Sequence, residues 1–393
     1  MRRLLSRGLM SAAGEESLIE VATRGSCMTL LLARPKALNA LNQPMIRQLY
    51  AAYEKGAADP SVKCILLEGA GGKAFCAGGD VKGICLAGQN PQPVTDGELP
   101  ITDAFFREEY ALNAAIAGCP KPQVAVWDGI VMGGGVGLSV HGAHRVATER
   151  AMFAMPETNI GLFPDVGGSH FLSRLPGELG TYIGLSGARL NAADLLYCGL
   201  ATHHVPSAAL PELQSALGAC ASAGDVEATL KRLSLAAPSE LSCSLKEKRE
   251  AIDAAFAFDS VEEILGKLDQ MSAGGSAFAS ETLETLRKMS PTSMKLTLRL
   301  VREARASAGA PAPLTACLTR EFRVVQRCVM IRKPLGSDDF FEGIRAALID
   351  KDRAPKWSPP TIEEVSDASV DAYFEPLGDK ELNVPTLPGF AAP

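Results

Sequence analysis

The sequence predicts an α/β layered fold with parallel crossovers, followed by a helical region. Three observations predict it. Through roughly the first 200 residues, short apolar runs alternate with stretches whose apolar residues recur at helical spacing. Two glycine clusters, in "KAFCAGGD" and "DGIVMGGGVG", each follow an apolar run, where a strand turns into a helix. From about Gly177 onward, alanine- and leucine-rich helical patterns take over.

Taken in order, residues 17–34 read as two short strands about the turn "TRGS". "LNQPMIRQLYAAYEK" reads as a helix, with Asn42 as N-cap, Pro44 in the first turn, and Ile46, Leu49, Tyr50 and Tyr53 on one face. "VKCILLEGAGG" is a buried strand running into a glycine turn, "DAFFREEYALNAAIAGC" a helix, and "PQVAVWDG" a strand. "GGGVGLSVHGAH" opens a helix at its glycines, and "HRVATE" and "AMFAM" are strands. "LNAADLLYCG" is a helix between an Asn191 cap and a Gly199 stop, and "HHVP" closes a short extended piece. Residues 208–350 supply a series of helices, and the tail from Pro359 is Pro-rich, acidic and expected to pack loosely. No internal repeat stands out.

Composition sets outer bounds. Of 393 residues, 47% are hydrophobic and 21% charged, an ordinary globular balance. The net charge of −6 and the lack of a Lys/Arg-rich run argue against a nucleic-acid partner. The most apolar stretch, Gly129 to Val140, is too short for a membrane span, which takes about 20 residues. Ten scattered cysteines with no CxxC or zinc spacing fit a reducing compartment. "MRRLLSRGLMSAAGEES" carries Arg2, Arg3 and Arg7 and no acid before Glu15, the pattern of a mitochondrial presequence; a disordered start is the bland alternative.

Several signatures fail. "GAGGKA" is not a P-loop, because Ala74 stands where Ser or Thr must meet magnesium and Leu67 replaces the first glycine. "GGGVGLSV" lacks the last glycine of GxGxxG, and neither "GLSVH" nor "GLSGA" is a GxSxG elbow. His141 and His144 lack the HExxH arrangement and read as packing residues, and His203 and His204 as structural ones. Cys76 has no histidine base beside it and reads poorly as a nucleophile.

The two glycine turns survive. If they face each other, their backbone N–H groups form an oxyanion hole; taken singly, glycine at such a turn is often only steric. "FAMPETNIGLFPDVGG" places Glu157 and Asp165 in an apolar segment, each directly after a proline that limits its backbone. Left to the residues alone, Asp165 could cap the following helix and Glu157 could be a solvated loop acid.

"KAFCAGGD", "DGIVMGGGVGLSVHGAHRVATE" and "FAMPETNIGLFPDVGG" together resemble the crotonase (enoyl-CoA hydratase/isomerase) superfamily. "ARPKALNALN", "FFREEY", "MSPTSMKLTLR" and "DFFEGIRAALIDKDRAPKW" resemble its thioester-hydrolase branch, so the likeness runs from about residue 18 to 358. The resemblance implies a crotonase-like spiral of repeated ββα units with a helical C-terminal region. Beside the presequence or disordered start at 1–16, the organisation it implies is a ββα core with the active site at 17–205, a helical region at 206–358 and a Pro-rich acidic tail at 359–393. It implies oxyanion donors at Gly79 and Gly134, catalytic Glu157 and Asp165, and Glu109 lining the acyl pocket. Glu109 otherwise reads as a surface charge beside Arg107 and Glu108.

Hydratases of the superfamily use two glutamates; the first falls here on Gly137, and Asp165 stands where they have glycine. The implied reaction is therefore hydrolysis of a short branched 3-hydroxyacyl-CoA thioester, that of 3-hydroxyisobutyrate in valine breakdown. Glu157 would act as base for water or as nucleophile, and Asp165 would meet the substrate hydroxyl or the departing thiolate. Rival readings are an enoyl-CoA hydratase or isomerase, and a non-catalytic subunit of a larger assembly. The implied partner is an acyl-CoA, with no metal or redox cofactor, no membrane and a mitochondrial matrix setting; a homo-oligomer stays open. Lys36 in "KALNAL" and the loop at Ala77 resemble the family's adenine-facing backbone, and Lys351 and Lys356 are candidates for a CoA phosphate.

Overall fold

The computed structural model describes residues 17–91, 99–236, 241–305, 310–330 and 338–384. The leader expected at 1–16 and the last nine residues of the tail lie outside them. Two sheets organise the N-terminal half. The larger contains β1 (Ile19–Arg24), β2 (Cys27–Leu32), β3 (Cys64–Gly69), β5 (Gln123–Trp127), β7 (His144–Ala147) and β9 (His203–His204), in that spatial order. The smaller contains β4 (Ala74–Cys76), β6 (Ile130–Met132) and β8 (Met152–Ala154), again in order. Apart from the β1–β2 hairpin, every strand pair is parallel.

The chain therefore climbs as a spiral. Each pair β3/β4, β5/β6 and β7/β8 leaves one strand in the large sheet and the next in the small one before turning into helix or 3-10 helix. Parallel strands are buried on both faces and read as continuous apolar runs. In β3, Ile65 and Leu67 enter the main core, while Cys64 and Leu66 enter a second cluster. The helices Leu210–Gly218 and Ala223–Leu233 cover that second face through Leu213, Leu217, Val226 and Leu230.

Local signals hold. Asn42 Oδ1 accepts the Met45 N–H at 3.0 Å to start the helix Gln43–Ala58. Asn191 caps Ala192–Cys198 in a reciprocal capping box, and Gly199 ends it at φ +81°. The glycine-led helix is shorter than its sequence suggests, spanning only Gly134–Gly137.

The C-terminal helices fold back over the spiral. One continuous core cluster runs from Ile19 to Leu382. The Ser290 N–H donates to Thr158 O at 3.0 Å, and Ile160 lies directly against Gly343. The tail corrects its expectation over the described part, 359–384. Ile362, Val365, Val370, Tyr373 and Phe374 are buried, the last four on or beside the helix Asp367–Phe374. Arg107 donates to the carbonyls of Lys380 and Glu381, which fastens the chain after that helix. Its polar composition hid an apolar stripe at helical spacing.

Candidate active site

The spiral brings the candidate residues together by repetition. Gly79 follows β4, Gly134 follows β6 and Glu157 follows β8, each within three residues of the strand's end. The three strands are parallel neighbours, about 4.8 Å apart, so their carboxyl ends open onto one crevice.

Each amide is aimed by the glycine before it. Gly78 has φ +112° and Gly133 φ +46°, conformations that side chains disfavour. Beyond Gly78, the chain bridges to Leu41, which donates to Gly78 O and accepts the Asp80 N–H, both at 2.8 Å. Those bonds flank Gly79, so its own N–H points to the opposite side. Gly134 is the first residue of its helix, where an N–H has no intrahelical acceptor. A methyl group built on Gly134 would lie 3.3 Å from the Gly79 nitrogen, which places the two amides side by side.

Three carboxylates surround them: Glu109 is 2% exposed, and Glu157 and Asp165 are each 5% exposed. Glu157 comes from the 3-10 turn Glu157–Ile160 and Glu109 from the helix Ile101–Gly118. On that helix Glu108 turns to Arg47 at 2.8 Å and Arg107 to Asp103 at 2.7 Å, leaving Glu109 inward. Glu109 Oε1 sits 2.6 Å from the position of a Gly134 methyl, and Glu157 Oε1 2.9 Å from that of a Gly133 methyl. Glu109 Oε1 and Glu157 Oε2 are buried without hydrogen-bond partners among the described residues. Asp165 Oδ2 accepts the Tyr110 hydroxyl at 2.9 Å. Together with Val81, Phe105, Phe106, Ile160 and Leu162, the three carboxylates line a cavity of about 90 Å³.

The electrostatics follow from burial. Burial, then the charges of Asp165 and Glu157, push the Glu109 carboxyl well above the usual range. Burial and the Asp165 charge do the same to Glu157. Burial raises Asp165 to about 7, against the pull of the Tyr110 hydroxyl. Like charges this close do not all ionise together near neutral pH.

That sets a pH-dependent stability. An unfolded Asp ionises near pH 4, whereas folded Asp165 keeps its proton to about pH 7. Between these values the folded state holds a proton that the unfolded state has lost, so stability falls as pH rises through the window. Asp165→Asn does not titrate. It is expected to match the wild type near pH 4 and to exceed it by about 1–3 kcal/mol at pH 8, as read by urea unfolding at both pH values.

The bland roles resolve differently. Asp165 does not cap the helix Gly168–Leu172 with its side chain; Glu321, from the helix Leu314–Val329, accepts the N–H groups of Gly167 and Ser169 instead. Gly137 has no room for a carboxylate, since a methyl there would meet Val166 at 2.6 Å and Asn113 Nδ2 at 2.9 Å. Burial drives the Cys76 thiol up to about 12, far from a thiolate nucleophile. His141 is neutral, brought down to about 4 by burial, and its Nε2 bonds Val166 O at 2.8 Å. Ala77 N donates to Leu38 O at 3.1 Å, tying the "KALNAL" loop to the crevice rim, while Lys351 and Lys356 are exposed.

Sequence reasoning missed Tyr110 and Glu321. Glu321 had a signal: it interrupts the apolar stripe Leu314, Cys317, Leu318, Phe322, Val325 at helical spacing, and a carboxylate there is a buried one. Tyr110 had none, being one more aromatic residue on an apolar helix.

Comparison with known proteins places this arrangement. Residues 27–374 match the family described as enoyl-CoA hydratase/isomerase. A rat protein named 3-hydroxyisobutyryl-CoA hydrolase, mitochondrial, is 46% identical over 379 residues, covering 95% of this chain and 92% of its own. A chicken protein of the same name is 47% identical over 365 residues, 92% of this chain and 89% of its own. Among solved structures, a carnitinyl-CoA dehydratase from Mycobacterium thermoresistibile superposes with a TM-score of 0.82 at 37% identity, covering 94% of this chain and 99% of that one. With the ββα spiral and the crevice at its strand ends, these matches give the conclusion that the chain belongs to the enoyl-CoA hydratase/isomerase (crotonase) family.

Proposed function

We propose that the protein hydrolyses the thioester of 3-hydroxyisobutyryl-CoA, a short branched 3-hydroxyacyl-CoA of valine breakdown, in the mitochondrial matrix. The names of the rat and chicken relatives support the substrate and a mitochondrial setting. The observation that carries the reading is the buried Glu157, with Oε2 unpartnered among the described residues, beside two convergent glycine amides.

The Gly79 and Gly134 N–H groups polarise the thioester carbonyl and hold the oxygen as it becomes anionic. In its ionised form, which burial makes a strong base, Glu157 takes a proton from water as that water adds to the carbonyl carbon, or adds to the carbon itself to give a mixed anhydride that water then cleaves. Collapse of the tetrahedral intermediate breaks the C–S bond, and the thiolate leaves with a proton from the carboxylic acids around it. Asp165, steadied by Tyr110, meets the 3-hydroxyl or supplies that proton, and Glu109 walls the acyl pocket. This chemistry needs no metal or redox cofactor.

Size agrees. The cavity of about 90 Å³, walled by Val81, Phe105, Phe106, Ile160 and Leu162, suits a small acyl group better than a long one. Hydration of an enoyl-CoA is disfavoured by the closed space at Gly137.

The test is thiol release across a panel of acyl-CoAs. The expected order puts 3-hydroxyisobutyryl-CoA first and octanoyl-CoA last, with no hydration of crotonyl-CoA. Hydration without thiol release would give the site to the hydratase reading, and no turnover of any kind would give it to a non-catalytic one.

A further inference from the structure

We propose that Glu321 is a positioning residue for the acid loop: from the C-terminal region it takes over the N–H groups of Gly167 and Ser169, so that Asp165 is left free to face the substrate. The inference rests on the hydrolase reading for its kinetic test, and on geometry alone for its structural one.

An aspartate just before a short helix ordinarily spends its carboxylate on that helix's first N–H groups. Here Glu321 does that work from 152 residues away in sequence. Its Oε2 accepts the Gly167 N–H at 2.7 Å, and its Oε1 accepts the Ser169 N–H at 2.9 Å and the Ser169 hydroxyl at 2.6 Å. The side chain is fully buried. Burial pushes its carboxyl up to about 8 while the three donors pull it down. Both backbone donors stay accepted in either form, because a proton on Oε1 can turn to the Ser169 hydroxyl oxygen.

The loop needs such a hold. Val166 is β-branched yet has φ +54°, a conformation that persists only where the surroundings impose it. His141 grips the Val166 carbonyl on one side, and Glu321 grips the next amide on the other. The residue after Glu321 completes the support. Phe322 packs edge-on against Tyr110 at 6.2 Å, and Tyr110 is the donor to Asp165. Two consecutive residues of one C-terminal helix thus hold both the loop that carries Asp165 and the hydroxyl that orients it.

Glu321→Gln tests this, because its amide offers one acceptor and turns an NH₂ toward the second backbone donor. In a crystal structure of Glu321→Gln, Asp165 is expected to leave Tyr110 and accept the Ser169 N–H. An Asp165 that stays on Tyr110 overturns the proposal whether or not the protein is a hydrolase. In kinetics with 3-hydroxyisobutyryl-CoA, kcat per folded molecule is expected to fall about 10- to 100-fold with KM nearly constant. In an Asp165→Asn background the same change is expected to add about 2-fold or less, since the positioned group is already gone. An unchanged kcat, or full additivity with Asp165→Asn, marks Glu321 as a structural cap only. If Glu321→Gln does not fold, Ser169→Ala removes one of the three donors and is read the same way, with a kcat loss of about 3- to 10-fold. A wild type that releases no thiol sinks the hydrolase reading, and the crystal structure still decides on Glu321.

Discussion

Glu157→Gln is expected to lower kcat for 3-hydroxyisobutyryl-CoA by about 10³- to 10⁴-fold while free CoA binds as it does to the wild type. The asymmetry comes from where the side chain sits. Glu157 stands just past the carboxyl end of β8, in the crevice, and its Oε2 has no hydrogen-bond partner among the described residues. No partner of Oε2 among the described residues is lost with the charge. Gln has the same shape, and the substitution removes a carboxyl that burial and the Asp165 charge hold well above its usual range. The variant should therefore fold at least as well as the wild type, and a drop in turnover is then a loss of chemistry. Steady-state thiol release, thermal unfolding and calorimetric CoA titration on one preparation check all three statements. Turnover within a few-fold of wild type would remove Glu157 from the reaction. In single turnover in H₂¹⁸O, attack by activated water puts the label in the product acid, whereas the anhydride route puts it there or in Glu157, according to which carbonyl water attacks.

The sequence carried much of the site and little of what assembles it. The glycine turns were legible because "AGG" and "GGG" follow apolar runs, and glycine is what a turn with φ +112° or +46° requires. Glu157 and Asp165 were conspicuous as acids in an apolar segment. Their convergence was not visible in strand patterning. β4, β6 and β8 have three residues each, too short to show a period of two. The spiral repeats geometry, not residues, so no internal repeat marks the equivalent positions of Gly79, Gly134 and Glu157. Glu109 was obscured by its neighbours: three charged residues in a row look solvated, and only the partners Arg47 and Asp103 show which two face away. Sequence position offers Asp165 as an alternative cap and gives no sign of Glu321, because capping is read from neighbours in sequence and the capping group comes from another helix. The tail looked loose because its acidic residues outnumber the few apolar ones that anchor it.

Gly134→Ala is expected to lower kcat/KM for the thioester by about 10²- to 10³-fold without unfolding the protein. The backbone makes this substitution a clean one. Among the adjacent glycines, Gly133 has φ +46° and would be strained by any side chain, whereas Gly134 lies outside the left-handed region and begins a helix, where alanine is well tolerated. The added methyl does its harm in front of the donors. It would lie 3.3 Å from the Gly79 nitrogen and 2.6 Å from Glu109 Oε1, in the space an acyl oxygen needs to reach both amides. Glu109 ends a flexible side chain and can swing aside, so folding survives; the Gly79 nitrogen is backbone and cannot. The loss should therefore fall on the developing oxyanion and leave the affinity for free CoA, which has no acyl oxygen, unchanged. Gly134→Ala with full turnover and wild-type stability would mean that the carbonyl oxygen is held elsewhere, and that the two glycine turns are there for backbone packing alone.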